Sequence, residues 1–141
     1  MKKLLIVTLV LVSTSLWAQE AKKAAEKTGP TITFSEEKFE FGEIAQGDKV
    51  SHTFNFENTG TEALIISNVR TTCGCTVPSW PKEPIAAGAK GKIDVVFNSR
   101  GKMGAQNKVI TVQSNATNAQ ARVALVGNVL PPKPKTDGSG N

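Results

Sequence analysis

The sequence predicts an all-β domain over residues 31–130, an Ig-like antiparallel β-sandwich of seven to eight strands. Two observations indicate this fold class. Apolar and polar side chains alternate with a period of two through most of the domain, as they do in strands that bury one face. Turn-forming residues interrupt this pattern about every 10–15 residues, and a helical period is almost absent.

Three strands are predicted near the start of the domain. Ile32 and Phe34 alternate with threonines, and Phe39 and Phe41 are separated by a glutamate. The longest alternation runs over residues 49–58. Its apolar face carries Val50, His52, Phe54 and Phe56. We expect His52 to be a core or edge histidine, because a lone histidine on an apolar face is more often packed than functional.

Further strands are predicted later in the domain, at residues 63–69, 92–98, 109–112 and 123–129. Gly, Asn, Asp and Ser are concentrated between the strands, where turns require them. Residues 70–84 contain three prolines, which lack a backbone donor, so this stretch cannot be a central strand.

The inward-facing positions predict the hydrophobic core. Its members are Ile32, Phe34, Phe41, Phe54, Phe56, Ile65, Ile93, Val95, Phe97, Ile110, Val112, Val123 and Leu125. The hallmarks of antibody domains are missing, because the chain has no tyrosine and its two cysteines are too close in sequence to join two sheets. The predicted sandwich therefore lies outside the antibody class.

The net charge of +5 does not indicate a nucleic-acid-binding domain. Lys2 and Lys3 supply two of these charges, and residues 19–30 and 131–141 supply one each. Residues 31–130 hold ten basic and nine acidic side chains, so the predicted domain is close to neutral. A near-neutral domain without paired exposed aromatics argues against nucleic acid as a partner.

The N-terminal residues of the chain predict export. Residues 1–18 have two lysines, a short apolar run and then small residues before Ala18, which is the pattern of a secretory signal peptide. The apolar run is about half the length of a membrane-spanning helix, so a retained anchor is the weaker alternative. We expect a periplasmic or secreted mature protein without a transmembrane segment. Residues 19–30 are predicted to be a flexible linker, and residues 131–141 a disordered tail.

The most distinctive segment is RTTCGCTVPSWPKEP, residues 70–84. Its Cys-Gly-Cys motif leaves three alternatives open. In an oxidising compartment Cys73 and Cys75 can form a small, easily reduced disulfide, structural or redox-active, and Gly74 can take the positive φ that eases such a turn. Two thiolates can instead bind a soft ion such as Cu(I), with His52 as the one further nitrogen ligand. The pair can also be inert, half-buried thiols.

The same segment supplies the predicted interaction loop, because sandwiches commonly present binding residues on loops. The candidate contact residues are Arg70, Thr76, Trp80 and Pro81. Trp80 has two interpretations: it caps one end of the core, or it stands exposed as a binding aromatic.

Hydrolytic chemistry is not expected. The carboxylates of residues 36–48 lie at strand ends and are typical of solvated sheet edges. A Ser–His–Asp site would have only His52 as its base, without a nucleophile elbow, and no glycine-rich phosphate loop is present. We therefore expect no catalytic residue and no cofactor, with redox activity at Cys73 and Cys75 as a minor alternative.

Residues 39–115 also resemble a known bacterial family. The motifs that carry the likeness are Phe41-Gly42-Glu43-Ile44, Phe56-Glu57-Asn58-Thr59-Gly60, Cys73-Gly74-Cys75-Thr76, Trp80-Pro81, Ile85 with Gly88, and Phe97-Asn98-Ser99. In combination they resemble domain-of-unknown-function family 1573. The resemblance implies an exported Ig-like sandwich, similar to Hydin-like and major-sperm-protein-like domains. It supplies no catalytic residue.

These observations favour a non-enzymatic binding or scaffolding module of the cell envelope, whose partner is a protein or another envelope component. The alternative is a thiol–disulfide or copper-handling protein that uses the Cys-Gly-Cys motif.

Overall fold

The computed structural model describes residues 28–134, so the predicted signal peptide, most of the linker and most of the tail lie outside the described part of the chain. Eight strands follow one another: β1 Ile32–Phe34, β2 Lys38–Ala45, β3 Lys49–Asn58, β4 Ile66–Thr71, β5 Thr76–Ser79, β6 Lys90–Asn98, β7 Gly104–Ser114 and β8 Gln120–Leu130. Within these residues no helix is long and apolar enough to cross a membrane.

The strands form two four-stranded sheets. The first sheet has the order β1-β3-β6-β5, and the second has the order β2-β8-β7-β4. This confirms the predicted all-β sandwich of seven to eight strands. Five of the six strand pairs are antiparallel, as predicted, but β2 and β8 are parallel. Five strands separate these two in sequence, so no tight turn fixes their relative direction.

The core lies between the two sheets and is built mainly from alternate residues of β3, β6, β7 and β8. Phe54, Phe56 and Phe97 are its largest fully buried side chains. Phe34 and Phe41 pack against it and are only partly buried. The remaining predicted members are buried, with one exception described next.

The sequence pattern predicts that Ile65 faces the core, and this prediction is wrong. Its side chain is 45% exposed, whereas Leu64 and Ile66 are buried. Leu64 pairs with Ile85 through two backbone hydrogen bonds of 2.8 Å, which fixes its side chain inward. Because neighbouring residues of an extended chain point to opposite faces, Ile65 must then face outward.

β5 lies within the proline-rich segment and is the edge strand of the first sheet. The prediction that this segment is not a central strand therefore agrees with its position. Asn98 N–H donates to Cys75 C=O (2.8 Å), and hydrogen-bonded positions alternate along an antiparallel pair. Val77 and Ser79 consequently bond to β6, and Thr76 and Pro78 turn their backbone groups to the open edge.

Candidate functional site

The Cys-Gly-Cys segment forms a corner between the two sheets. β4 is an edge strand of the second sheet, β5 is an edge strand of the first, and residues 72–75 connect them. In the structure Cys73 and Cys75 are joined by a disulfide, with their Cα atoms 5.3 Å apart. Gly74 is not among the glycines with positive φ, so the expected role of that conformation in the turn is wrong. A redox role for the pair stays a prediction.

Two threonines hold this disulfide corner in place. Thr71 Oγ1 lies 2.9 Å from Cys73 O and 3.1 Å from Thr76 O, so one hydroxyl serves both sides of the turn. Thr76 N–H donates to Cys73 O (3.3 Å). Thr76 is only 3% exposed, and its Oγ1 lies 3.9 Å from each of the two sulfurs. The inclusion of Thr76 among the contact residues is therefore corrected, because a buried side chain cannot meet a partner.

A groove opens beside the corner on the outer face of the first sheet. Its floor is the cross-strand pair Val77 and Val96, which are 64% and 38% exposed. Cys75 and Gly74 also line it, and the whole groove has a volume of about 480 Å³. The remaining lining residues are Lys49, Asn98 and Arg100. We call this the corner groove.

The charge of the corner groove is one-sided. Lys49 and Arg100 line it, and its lining contains no carboxylate. Further along the same sheet face, Asp94 accepts a hydrogen bond from Thr53 (2.6 Å) and lies 3.6 Å from the Lys92 ammonium group. The exposed apolar pair of this sheet face is thus at its corner end, next to two cations.

The open edge of β5 offers little to an added strand. Pro78 has no N–H, and Thr76 N–H is already bonded within the corner. Strand addition requires free backbone donors along an edge. A molecule bound here would therefore lie across the side chains of the sheet face and would not extend the sheet.

Trp80 and Pro81 border a different, smaller cavity. It has a volume of about 230 Å³ and is also lined by Ser79, Lys92 and Asp94. Trp80 packs against the core while its Nε1 is buried without a hydrogen-bond partner, and the Lys82 ammonium group lies 3.1 Å from its ring centre. Of the two interpretations of Trp80, this position corresponds to a cap on the core.

The residues of the predicted interaction loop are divided between the two sheets. Arg70 is exposed on β4 of the second sheet, opposite Thr111 on β7. Trp80 and Pro81 follow β5 of the first sheet. A contact role for these three residues stays a prediction.

His52 is packed among aromatic rings. Its ring stacks on Phe39 at 3.7 Å between centres and meets the edge of Phe54 at 4.7 Å. Its Nε2 lies 2.7 Å from Glu36 Oε1. Residues 28–134 contain no group of three or more His, Cys, Asp or Glu side chains that could hold a metal ion. His52 is therefore not placed in a ligand set with the cysteines.

Comparison with protein families identifies the family of this domain. The model of the family described as "Protein of unknown function (DUF1573)" matches residues 32–129. The chain belongs to this family. The match spans all eight strands except the last residue of β8, so the disulfide corner and the corner groove lie within the DUF1573 domain. Among curated proteins, no match was found.

Solved structures share the fold of this DUF1573 domain. A protein of unknown function from Porphyromonas gingivalis W83 superposes with a TM-score of 0.62 at 11% identity, over 77% of this chain and 51% of that one. PapD-like (ASH) domain 7 of human CEP192 gives 0.60 at 12% identity, over 74% and 89%. The YadV chaperone gives 0.51 at 20% identity, over 78% and 54%. The chain spans about half the length of the first of these, and identities this low show the fold alone.

Sequence reasoning singled out the Cys-Gly-Cys segment of this DUF1573 domain but missed the corner groove. One signal was available: in the run Asp94-Val95-Val96-Phe97, two adjacent valines interrupt the period of two. Since Val95 faces the core, Val96 must be an apolar residue that faces solvent. The cations of the groove could not be found in this way, because Lys49 comes from β3 and Arg100 from the loop after β6.

Proposed function

We propose that this DUF1573 protein is an exported, non-enzymatic binding module of the cell envelope, and that its corner groove holds an extended, acidic segment of a partner protein. One observation carries the proposal: an exposed valine pair, Val77 and Val96, is bordered by Lys49 and Arg100 in a groove without a carboxylate.

The apolar floor of the corner groove favours binding through the hydrophobic effect. Each Å² of apolar surface removed from water contributes about 25 cal/mol, and water-facing sheet positions are usually polar. Covering the valine pair with an apolar side chain therefore contributes favourable free energy to binding. Val77 and Val96 lie side by side on neighbouring strands of an exposed sheet face, so a chain in extended conformation can place alternate apolar side chains on the valines.

The two cations supply the selectivity. An acidic side chain beside Lys49 or Arg100 gains a favourable interaction, and a basic one is repelled. Such groups raise the association rate and discriminate between partners more than they add affinity. We therefore expect a segment in which valine-like and acidic residues alternate.

Two further observations support the proposed location and class. The first 18 residues have the pattern of a signal peptide, and a disulfide between cysteines is typical of oxidising compartments outside the cytosol. The likeness to a PapD-like domain and to a chaperone agrees with a protein-binding role, although a shared fold does not identify a partner. No observation favours the copper-handling alternative, since the sulfurs are bonded to each other.

Amide chemical-shift mapping tests the proposal. The probe is a blocked seven-residue peptide of alternating Glu and Val, and its counterpart carries Lys in place of Glu. We expect shifts at Val77, Val96 and the disulfide corner with the Glu peptide, and at least a tenfold weaker response to the Lys peptide. Val96→Asp should abolish the shifts, because it puts a carboxylate on the groove floor.

Ile65→Asp is the matched control, since Ile65 is an exposed apolar residue of similar size that lies outside the corner groove. It should leave the response to the Glu peptide unchanged. Shifts that cluster on β2 or β4, or an equal response to the two peptides, would contradict the proposal.

A further inference from the structure

We propose that the corner groove can hold its partner covalently: a cysteine thiolate of the bound segment attacks Cys75 Sγ, and Cys73 leaves as a thiolate stabilised by the Thr76 hydroxyl. The inference rests on the proposed function, because the groove must first place the segment beside the disulfide.

The Thr76 hydroxyl carries this inference. Thr76 is 3% exposed, and among the described residues the hydrogen-bond partners of its Oγ1 are the two disulfide sulfurs, each at 3.9 Å. A disulfide sulfur is a weak acceptor, so this buried O–H group is poorly satisfied. A thiolate is a strong acceptor. Breaking the disulfide therefore gives the hydroxyl the partner that the intact disulfide does not provide.

The corner fixes the hydroxyl in this position. Thr76 N–H is bonded to Cys73 O, and Thr76 O accepts from Thr71 Oγ1. These bonds hold both ends of residue 76, so its side chain is already oriented before the disulfide opens. A preorganised donor stabilises a developing charge without a cost of reorganisation.

The groove determines which sulfur is attacked. Cys75 lines the corner groove together with Val77 and Val96, whereas Cys73 is not part of its lining. A thiolate that arrives along the groove therefore meets Cys75 Sγ. Lys49 and Arg100 attract the incoming thiolate, as positive charges do near reactive cysteines.

The exchange is balanced without an outside oxidant. A new S–S bond forms between the partner's sulfur and Cys75, the Cys73–Cys75 bond breaks, and its electron pair leaves on Cys73. The negative charge moves from the partner's thiolate to Cys73, beside the Thr76 O–H. The reverse attack of Cys73 on Cys75 releases the partner, so the covalent link is reversible.

The first test is the regiochemistry of peptide attachment on the wild-type protein. The probe is the blocked Glu/Val peptide with its central residue replaced by Cys, reacted without oxygen, quenched with acid and treated with N-ethylmaleimide. We expect peptide mapping to find the probe on Cys75 and maleimide on Cys73. A probe on Cys73, or an even mixture, would overturn the proposal.

The second test compares rates. The Glu probe should react about tenfold faster than the matched Lys probe, since the groove cations favour the former. Thr76→Val should slow the reaction of the Glu probe about tenfold, which is the value of one hydrogen bond to a charged group, and Thr76→Ser should restore the rate. An unchanged rate in Thr76→Val would contradict the role of the hydroxyl.

The pKa of Cys73 distinguishes the proposed role of the Thr76 hydroxyl from a purely structural role. In Cys75→Ser, where Cys73 is a free thiol, Thr76→Val should raise the pKa of Cys73 and Thr76→Ser should return it, as read from thiolate absorbance against pH. A structural role would not produce this pattern.

The two proposals fail in different ways. Binding of the cysteine-free Glu peptide, measured in parallel, tests the groove alone. If that peptide binds while exchange shows no preference for charge or for Cys75, the covalent inference is wrong and the binding function stands. If it does not bind, the proposed function is wrong as well.

Discussion

At the scale of single residues, Asn58 shows how much one side chain can organise. It is fully buried, and its amide makes four hydrogen bonds. Oδ1 accepts from Thr31 N–H (3.2 Å) and Gly60 N–H (3.1 Å), and Nδ2 donates to Glu62 O (2.7 Å) and Ile85 O (2.9 Å). The amide therefore joins the start of β1, the end of β3 and the segment that precedes β6.

The first prediction concerns this amide. Asn58→Ala removes all four bonds and leaves buried backbone groups without partners, which should lower the free energy of unfolding by about 3 kcal/mol or more. Asn58→Asp should also destabilise the domain, because a carboxylate cannot donate to the Glu62 and Ile85 carbonyls. Urea unfolding measures both. A loss below about 1 kcal/mol in each would show that the amide has no such role.

At the scale of elements, the parallel pair of β2 and β8 depends on close packing at a glycine. The Phe41 ring lies against Gly127 so closely that a Cβ there would overlap it, and the same Cβ would lie 2.6 Å from Gly42 O. The register of the pair shifts between Glu40 and Gly42, where Gly42 has φ of 71°. The ring and the backbone irregularity therefore fit together.

The second prediction follows from this contact. Gly127→Ala should lower the free energy of unfolding by about 1–3 kcal/mol, the usual cost of overpacking, because the backbone at Gly42 cannot move aside freely. Gly74→Ala is the matched control, since a Cβ at position 74 meets nothing within 4 Å. Equal stability of the two variants in a thermal melt would refute the argument.

The third prediction concerns the open edge of β5. Pro78 denies this edge a backbone donor, which is a common protection against pairing with another chain. Pro78→Thr supplies an N–H and a residue that favours strands, so we expect concentration-dependent self-association in analytical ultracentrifugation. Pro81→Thr, outside the strand, should sediment like the wild type. A monomeric Pro78→Thr protein would show that the edge is protected by other means.

At the scale of the whole molecule, the disulfide should contribute little to the fold. It closes a loop of only three residues, and the chain-entropy relation then gives a stabilisation of about 1.5 kcal/mol, against about 3 kcal/mol for a 15-residue loop. The fourth prediction is that Cys73→Ser/Cys75→Ser keeps the wild-type circular dichroism spectrum and loses about 1.5 kcal/mol. Loss of the folded spectrum would mean that the disulfide is essential for folding.

The sequence allowed a sound prediction of the elements because alternation is local. The long alternation of β3, with Phe54 and Phe56 on one face, predicts that strand and the two largest core residues directly. Ile65 was misassigned because three consecutive apolar residues are compatible with either orientation of the strand. The backbone pairing of Leu64 with Ile85 fixes the orientation in which Ile65 faces outward.

The pairing of strands is not local, and neither is the corner groove. Nothing in β2 or β8 specifies that they run parallel, since their directions follow from the path of the chain through both sheets. Lys49, Val77 and Val96 meet only because β3, β6 and β5 are neighbours in the first sheet. The cysteines could be singled out by their spacing, but the surface beside them required the sheet order.

Peptide binding to a charge-reversal variant tests most directly the central claim that the corner groove binds an acidic segment. Titration calorimetry compares the blocked Glu/Val and Lys/Val peptides on the wild-type protein and on Lys49→Glu/Arg100→Glu. The wild type should bind the Glu peptide at least tenfold more tightly, and the double variant should reverse that preference, because the two side chains are the charged lining of the corner groove. An unchanged preference in the double variant would contradict the assignment of the corner groove as the binding surface.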